Sequence, residues 1–213
     1  MQKNQQFTEA VKNYRNGFHP IVSFNPATDT LMPLNFTEEN KELNDTILKN
    51  NDLFTQYITE KLRATGATYG VGGYNEHRTI YSRSAVFDTS DEPRRLHLGL
   101  DIWGEGGTAV YAPLEGTVHS FAYNDAFGDY GATLILQHEL LGVLFHTLYG
   151  HLSLHSIADK REGQTVEKGE WIAAFGEAPE NGYWPPHLHF QIILDMEGRK
   201  GDYPGVCKYS ERN

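Results

Sequence analysis

Two short stretches place metal-ligating side chains close together. Leu96-His97-Leu98-Gly99-Leu100-Asp101-Ile102 carries an imidazole and a carboxylate, and His187-Leu188-His189-Phe190-Gln191-Ile192-Ile193-Leu194 carries two imidazoles. Histidine nitrogen and carboxylate oxygen suit zinc and similar cations. Three such ligands with an open fourth position make a hydrolytic centre, because the cation lowers the pKa of a bound water toward ~7.

The elements that must hold these residues are expected to be β-strands. Strand alternation puts His97, Gly99 and Asp101 on one face, and Leu96, Leu98, Leu100 and Ile102 on the other. Gly99 is expected to leave open the space a ligand would fill. Downstream, Leu188, Phe190, Ile192 and Leu194 share a face, with His187 and His189 opposite. Two imidazoles about 7 Å apart along a strand can reach a common site if one of them meets a metal held by His97 and Asp101. The pattern predicts a His, Asp, His zinc site and leaves open which of the pair ligates. A third strand, Val143–Leu152, is apolar on both sides. His151 is expected at its end, on the face of Thr147 and Tyr149, with His146 opposite.

The rest of the chain divides in two. Residues 2–16 read as a helix with Phe7, Ala10, Val11 and Tyr14 on one face. Residues 18–35, with three prolines, read as extended loop. Thr37 is expected to cap a polar helix through Lys49. Asp52 is expected to cap a second, with Leu53, Phe54, Tyr57, Ile58 and Leu62 at helical spacing before Gly66. Beyond Ala64 the pattern turns to short segments divided by glycine, proline, asparagine and aspartate. Expected strands are 79–87, 97–102, 109–112, 116–122, 132–138, 143–152, 171–175 and 187–194. The fold class is therefore mainly β, a sandwich or barrel-like assembly. An N-terminal helical appendage is expected over residues 1–69, and the chemistry-bearing domain over 70–213.

Composition narrows the function. Of 213 residues, 39% are hydrophobic, 12% aromatic and 21 in number are glycine, which suits a turn-rich globular chain. A formal net charge of -10 speaks against nucleic acid and anionic membranes as partners. With Cys207 the single cysteine, any metal must rest on histidine and carboxylate ligands. No signal-peptide run and no apolar span of ~18 residues is visible. The expectation is a cytoplasmic location at face value, or an extracytoplasmic one if a leader has been trimmed. Oligomeric state is not readable.

The blocks HLGLD, YGHLS and HLHFQ, in this order, resemble the signatures of the lysostaphin-type (LytM-like) zinc metallopeptidases, which are peptidoglycan endopeptidases. The intervening segments 112–118, 128–138 and 161–176 resemble that family's glycine-punctuated strands. The resemblance covers roughly residues 70 to 195 and implies the duplicated hybrid motif fold. It implies His97, Asp101 and His189 as zinc ligands and His151 and His187 as catalytic histidines that do not ligate. It also sets Arg78 against an arginine that often precedes HxxxD. GYNEHRTIY, ENGYWPPHLHFQ and GDYPGV are similar to a narrower group, the metallopeptidase-like domain of kinase/aminotransferase fusion proteins. The resemblance further implies Zn2+ as cofactor, and a peptide or peptidoglycan fragment as substrate.

The two histidines can share the base, acid and oxyanion-stabilising tasks near neutral pH. Competing readings are a non-catalytic partner-binding module on the same fold, a zinc hydrolase of a small non-peptidoglycan amide, and a sugar-phosphotransferase carrier. Asp101 speaks against the last. Asn75, Glu76 and His77 are candidates for an inhibitory fourth ligand. Tyr183 and Trp184 are expected either to line the groove or to cover the core. His19, His77, His119, His138, His146 and His155 are expected to be structural.

Overall fold

A computed structural model of the chain describes residues 2–87 and 92–212. In order, its elements are α1 (Gln2–Tyr14), β1 (Leu31–Leu34), α2 (Asp45–Lys49), α3 (Asn51–Thr65), β2 (Tyr69–Gly72), β3 (Arg94–His97), β4 (Leu100–Trp103) and β5 (Ala109–Tyr111). There follow β6 (Gly116–Asn124), β7 (Gly131–Leu140), β8 (Val143–Leu152), α4 (His155–Ala158), β9 (Thr165–Val166), β10 (Trp171–Ala174), β11 (His187–Ile193) and β12 (Val206–Lys208). The fold is mainly β. Eight strands form one sheet in the order β1-β2-β4-β11-β8-β7-β6-β9, and β10-β5 and β12-β3 form two small sheets. β1 and β2 run parallel, while the other named pairs are antiparallel.

The helices form as their sequence directs, with two changes at their starts. The Asn50 side chain, not Asp52, caps α3 by accepting from the backbone N–H of Asp52 and Leu53. Gly66 ends it in the left-handed region at φ 65. The expected helix from Thr37 to Lys49 shrinks to α2, capped by Asn44. Upstream of it, Asn35 and Asn40 bind neighbouring backbone groups with their side chains, which competes with helix. α1 packs Phe7, Ala10, Val11 and Tyr14 against Leu114, Leu140 and Phe145.

Three strand expectations are corrected. Residues 79–87 turn through two 3-10 segments, Thr79–Arg83 and Ala85–Phe87. Ser84 Oγ accepts from Val86 N at 3.2 Å and donates to Phe127 O at 2.6 Å, which turns the chain. Within 18–35, Leu31–Leu34 is an edge strand, where Pro33 removes no needed ladder bond. Finally, 97–102 is not one strand: the ladder breaks at Leu98-Gly99, between β3 and β4. Leu96 and Ile102 are buried, but Leu100 is exposed, as is Ile192.

One core cluster, with Leu134, Tyr149, Leu152, Phe175 and Leu188, lies on one side of the main sheet. A second joins Phe36, Leu48, Phe54 and Ile58 of the N-terminal part to Trp103, Trp184 and Val206. The boundary expected between residues 69 and 70 falls at the first residues of β2, and β1 lies beside that strand in the sheet.

Candidate metal centre

His189 lies in the middle of the sheet, opposite Asp101 of β4 and opposite Gly150 of β8. Its Nδ1 is 3.1 Å from Asp101 Oδ1 and 3.0 Å from His97 Nε2, and His97 Nε2 is 3.2 Å from Asp101 Oδ1. A tetrahedral zinc with ligands at about 2.0–2.1 Å holds its donors about 3.3 Å apart, so this triangle is of the right size. Gly99 serves a purpose other than the one expected. A Cβ there would lie 2.4 Å from His189 Cε1, so the glycine admits the imidazole itself.

The protonation pattern calls for a cation. His97 Nδ1–H donates to Gly73 O at 2.9 Å. His189 Nε2–H donates to Gln191 Oε1 at 3.0 Å. Each ring thus turns a bare lone pair toward the other and toward the carboxylate, an arrangement that only a shared cation or proton satisfies. Burial, aided by the Arg78 cation, pushes His97 down to about 4, so it is neutral at neutral pH. Burial works to raise the Asp101 carboxyl, but His97 and Arg78 beside it hold it well below the usual range. Arg78, itself fully buried, donates Nη1 to Asp101 Oδ2 and Nε to Glu76 Oε2, so the loosely matched arginine is the orienting partner of the carboxylate. Among the described residues, His97, Asp101 and His189 are the one group of three or more His, Cys, Asp or Glu placed to hold a metal ion.

His151 and His187 stand beside this triangle, with rings 4.1 Å apart and His151 6.3 Å from His189. His187 Nδ1–H donates to Pro185 O at 2.8 Å and His151 Nδ1–H to Asn181 O at 2.9 Å, so both rings keep Nε2 as a lone pair. Burial pushes His187 down to about 4, and burial with His187 alongside pushes His151 well below its ordinary value. The face assigned to His151 from alternation is corrected. It adopts φ 61, which turns its ring from the Tyr149 side to the Tyr130 and His187 side. A non-glycine residue in that region is a strained position.

The rings open on a cavity of about 190 Å³. Tyr130, Trp103 and Trp184 line it, as do Arg94 and Asp129. Trp184 both lines this cavity and packs in the second core cluster, while Tyr183 is exposed against Phe127. The loop that carries them is organised by Asn181, whose Nδ2 donates to Gly176 O and Trp184 O. Asn75, Glu76 and His77 do not line the cavity. Glu76 is taken by Arg78 and Phe36 N, and the other two are exposed. None of the six histidines expected to be structural lines it either; His138 is buried between Glu115 O and Thr147 Oγ1. Sequence reasoning missed Trp103, Tyr130, Gln191 and Arg94: strand alternation from Asp101 and His189 could have found Trp103 and Gln191, whereas Tyr130 reaches His189 from 59 positions away.

Fold and site together define a β protein built around a buried, cation-seeking His, Asp, His cluster with two further imidazoles. Residues 95–201 match Peptidase family M23, and the chain belongs to that family. It is 39% identical over 101 residues to an uncharacterized metalloprotease of Haemophilus influenzae, covering 47% of this chain and 19% of that protein. It is 34% identical over 129 residues to the DD-carboxypeptidase/endopeptidase Mpg of Neisseria meningitidis serogroup B, covering 58% of this chain and 27% of that protein. Among solved structures, the catalytic domain of the antimicrobial peptidase lysostaphin from Staphylococcus simulans aligns with a TM-score of 0.41 at 21% identity, covering 74% of this chain and 95% of that one. The chain thus spans 19% and 27% of the length of these two curated relatives. No helix among the described residues is long and apolar enough to cross a membrane.

Proposed function

We propose that this chain is a zinc metallopeptidase domain that hydrolyses an amide bond in a peptide or peptidoglycan fragment. His97, Asp101 and His189 are its metal ligands. The observation that carries the reading is the convergence of two histidine lone pairs and an ionised carboxylate within 3.0–3.2 Å of one another. Membership of a peptidase family and the metalloprotease and DD-carboxypeptidase/endopeptidase names of its relatives support it. Residues 70–213 make up the catalytic domain in this reading and residues 1–69 its helical appendage.

Zinc held there supplies a Lewis acid for the substrate carbonyl and a water made acidic enough to attack at neutral pH. The protein supplies the proton handling. His151 and His187, neutral and with Nε2 free, can take a proton from the attacking water, hand it to the leaving amine, or steady the carbonyl oxygen as charge builds. Arg78 keeps Asp101 ionised, and Gly73 and Gln191 keep both ligand rings in the ligating tautomer. Trp103, Tyr130 and Trp184 wall the cavity beside these groups.

A second reading, removal of a C-terminal residue, is favoured by Arg94. Its side chain lines the same cavity, holds Val86 O through Nη2, and acts electrostatically on Asp129 of the same lining. From that position its guanidinium can pair with a substrate carboxylate through charge-assisted hydrogen bonds.

The test is turnover of zinc-loaded protein on peptidoglycan fragments, glycine-containing peptides and small amides, read by mass spectrometry. Cleavage at an amide bond that chelation abolishes and zinc restores is expected. Absence of cleavage across the panel by protein carrying stoichiometric zinc would overturn the reading in favour of a binding module.

A further inference from the structure

His97 sits on a strand that the large sheet does not hold. Asp101 and His189 face each other on β4 and β11 within that sheet, but β3 belongs to a two-stranded sheet with β12, where Val206 pairs with His97. Just before β12, Gly205 O accepts from Leu98 N at 2.9 Å. The same segment reaches the third ligand. Gln191, whose Oε1 takes the His189 Nε2 proton, donates its own Nε2 to Pro204 O at 3.1 Å. Gly205 also lies against Tyr130. A Cβ there would be 1.9 Å from the Tyr130 hydroxyl and 3.2 Å from His189 Cε1, and that hydroxyl is 3.4 Å from His189 Nε2. All these C-terminal residues lie past residue 201, where the family match ends.

We propose that Tyr203–Lys208 is a positioning strap for the metal centre. It contributes no ligand, yet it sets the distance between His97 and His189 and fixes the tautomer of His189 through Gln191. The inference rests on the reading that the three residues bind zinc. The physical reason is directional. An imidazole whose far N–H is held presents its other lone pair along a fixed line, and a chain of amide dipoles from Pro204 through Gln191 strengthens that lone pair.

The test is the zinc dissociation constant of the full chain, by competition with a chromophoric chelator, alongside the melting temperature of the metal-free protein. Gln191→Leu is expected to weaken zinc binding about 10–100-fold while the metal-free melting temperature stays near that of the parent. Gly205→Ala is expected to weaken it comparably. In a Tyr130→Phe background, Gly205→Ala should regain part of the lost affinity, because the 1.9 Å approach to the hydroxyl is gone while the 2.8 Å approach to the ring Cζ remains. Parental affinity in both Gln191→Leu and Gly205→Ala overturns the proposal. So does a Gly205→Ala defect that Tyr130→Phe leaves unchanged. Failure of the parent chain itself to bind zinc would instead remove the metal reading of the triad, and the strap with it.

Discussion

The His187 ring lies parallel to the Trp103 indole, 3.9 Å between centroids and 9° between planes. The two residues also pair across β11 and β4. Trp103 Nε1 has no hydrogen-bond partner among the described residues, and the indole meets His187 through its ring face. Phe36 and Phe54 of the N-terminal part pack on the other sides of the indole. In this way the helical region supports a histidine distant from it in sequence. Trp103→Phe should keep zinc and lower kcat by about tenfold or more, since small misplacements of a reacting group cost up to about 10²-fold. Steady-state kinetics with metal analysis checks this; an unchanged kcat would show that His187 needs no such support.

The division of labour among the five residues predicts two kinds of variant. His97→Ala, Asp101→Ala and His189→Ala should each lose bound zinc. His151→Ala and His187→Ala should keep it and lose about 10²–10⁴ in rate. Metal content measured beside turnover separates the two sets, and retained activity in either set contradicts the roles proposed for it.

Arg78 predicts a stability effect. It is fully buried between Asp101, Glu76 and the rings of Phe36 and Tyr81. Arg78→Met leaves a buried carboxylate without its cation, a change that costs about 3–5 kcal/mol. Arg78→Lys should recover little, because a point charge cannot serve both carboxylates in a fixed fork. Urea unfolding of the metal-free protein measures both.

Acid should destabilise the metal-free chain. His97 and His187 are held by burial at about 4, below the about 6.5 of an unfolded histidine. Between these values the unfolded chain binds more protons than the native one, so stability falls as pH drops. It is fully present above about 6.5 and is lost toward pH 4. Melting temperatures of the metal-free protein from pH 7.5 to 4.5 should decline most below 6.5, and a flat profile would contradict neutral burial of these rings.

Arg94 separates the two modes of cleavage. If the cavity seats a substrate carboxylate, a peptide with a free C-terminus should be cleaved in preference to its amide, and Arg94→Gln should erase that preference without altering zinc content. Equal kcat/KM on both peptides with the parent protein would leave internal cleavage as the mode.

Much of the site was legible in the residues. Alternation in 187–194 put His187 and His189 on one face and Leu188 and Phe190 on the other, because a buried strand with one apolar side has a period of two. HLGLD, YGHLS and HLHFQ, in order, matched the family that residues 95–201 belong to. What misled was local. Gly99 read as room for a ligand and is room for a side chain. His151 read as facing Tyr149, but its backbone turns at φ 61. Residues 79–87 read as strand, yet Ser84 binds its own neighbours.

The sequence by itself determined which side chains are candidates for the chemistry, and the mainly β class of the chain, since both follow from residue type and short-range period. Only the tertiary structure decided how the imidazoles are oriented, which carbonyls hold their protons, and that Arg78 is spent on Asp101. Those depend on contacts between residues on different segments, 24 positions apart for Gly73 and His97 and 13 for Pro204 and Gln191. No local pattern encodes such contacts, because they form only when packing brings the strands together.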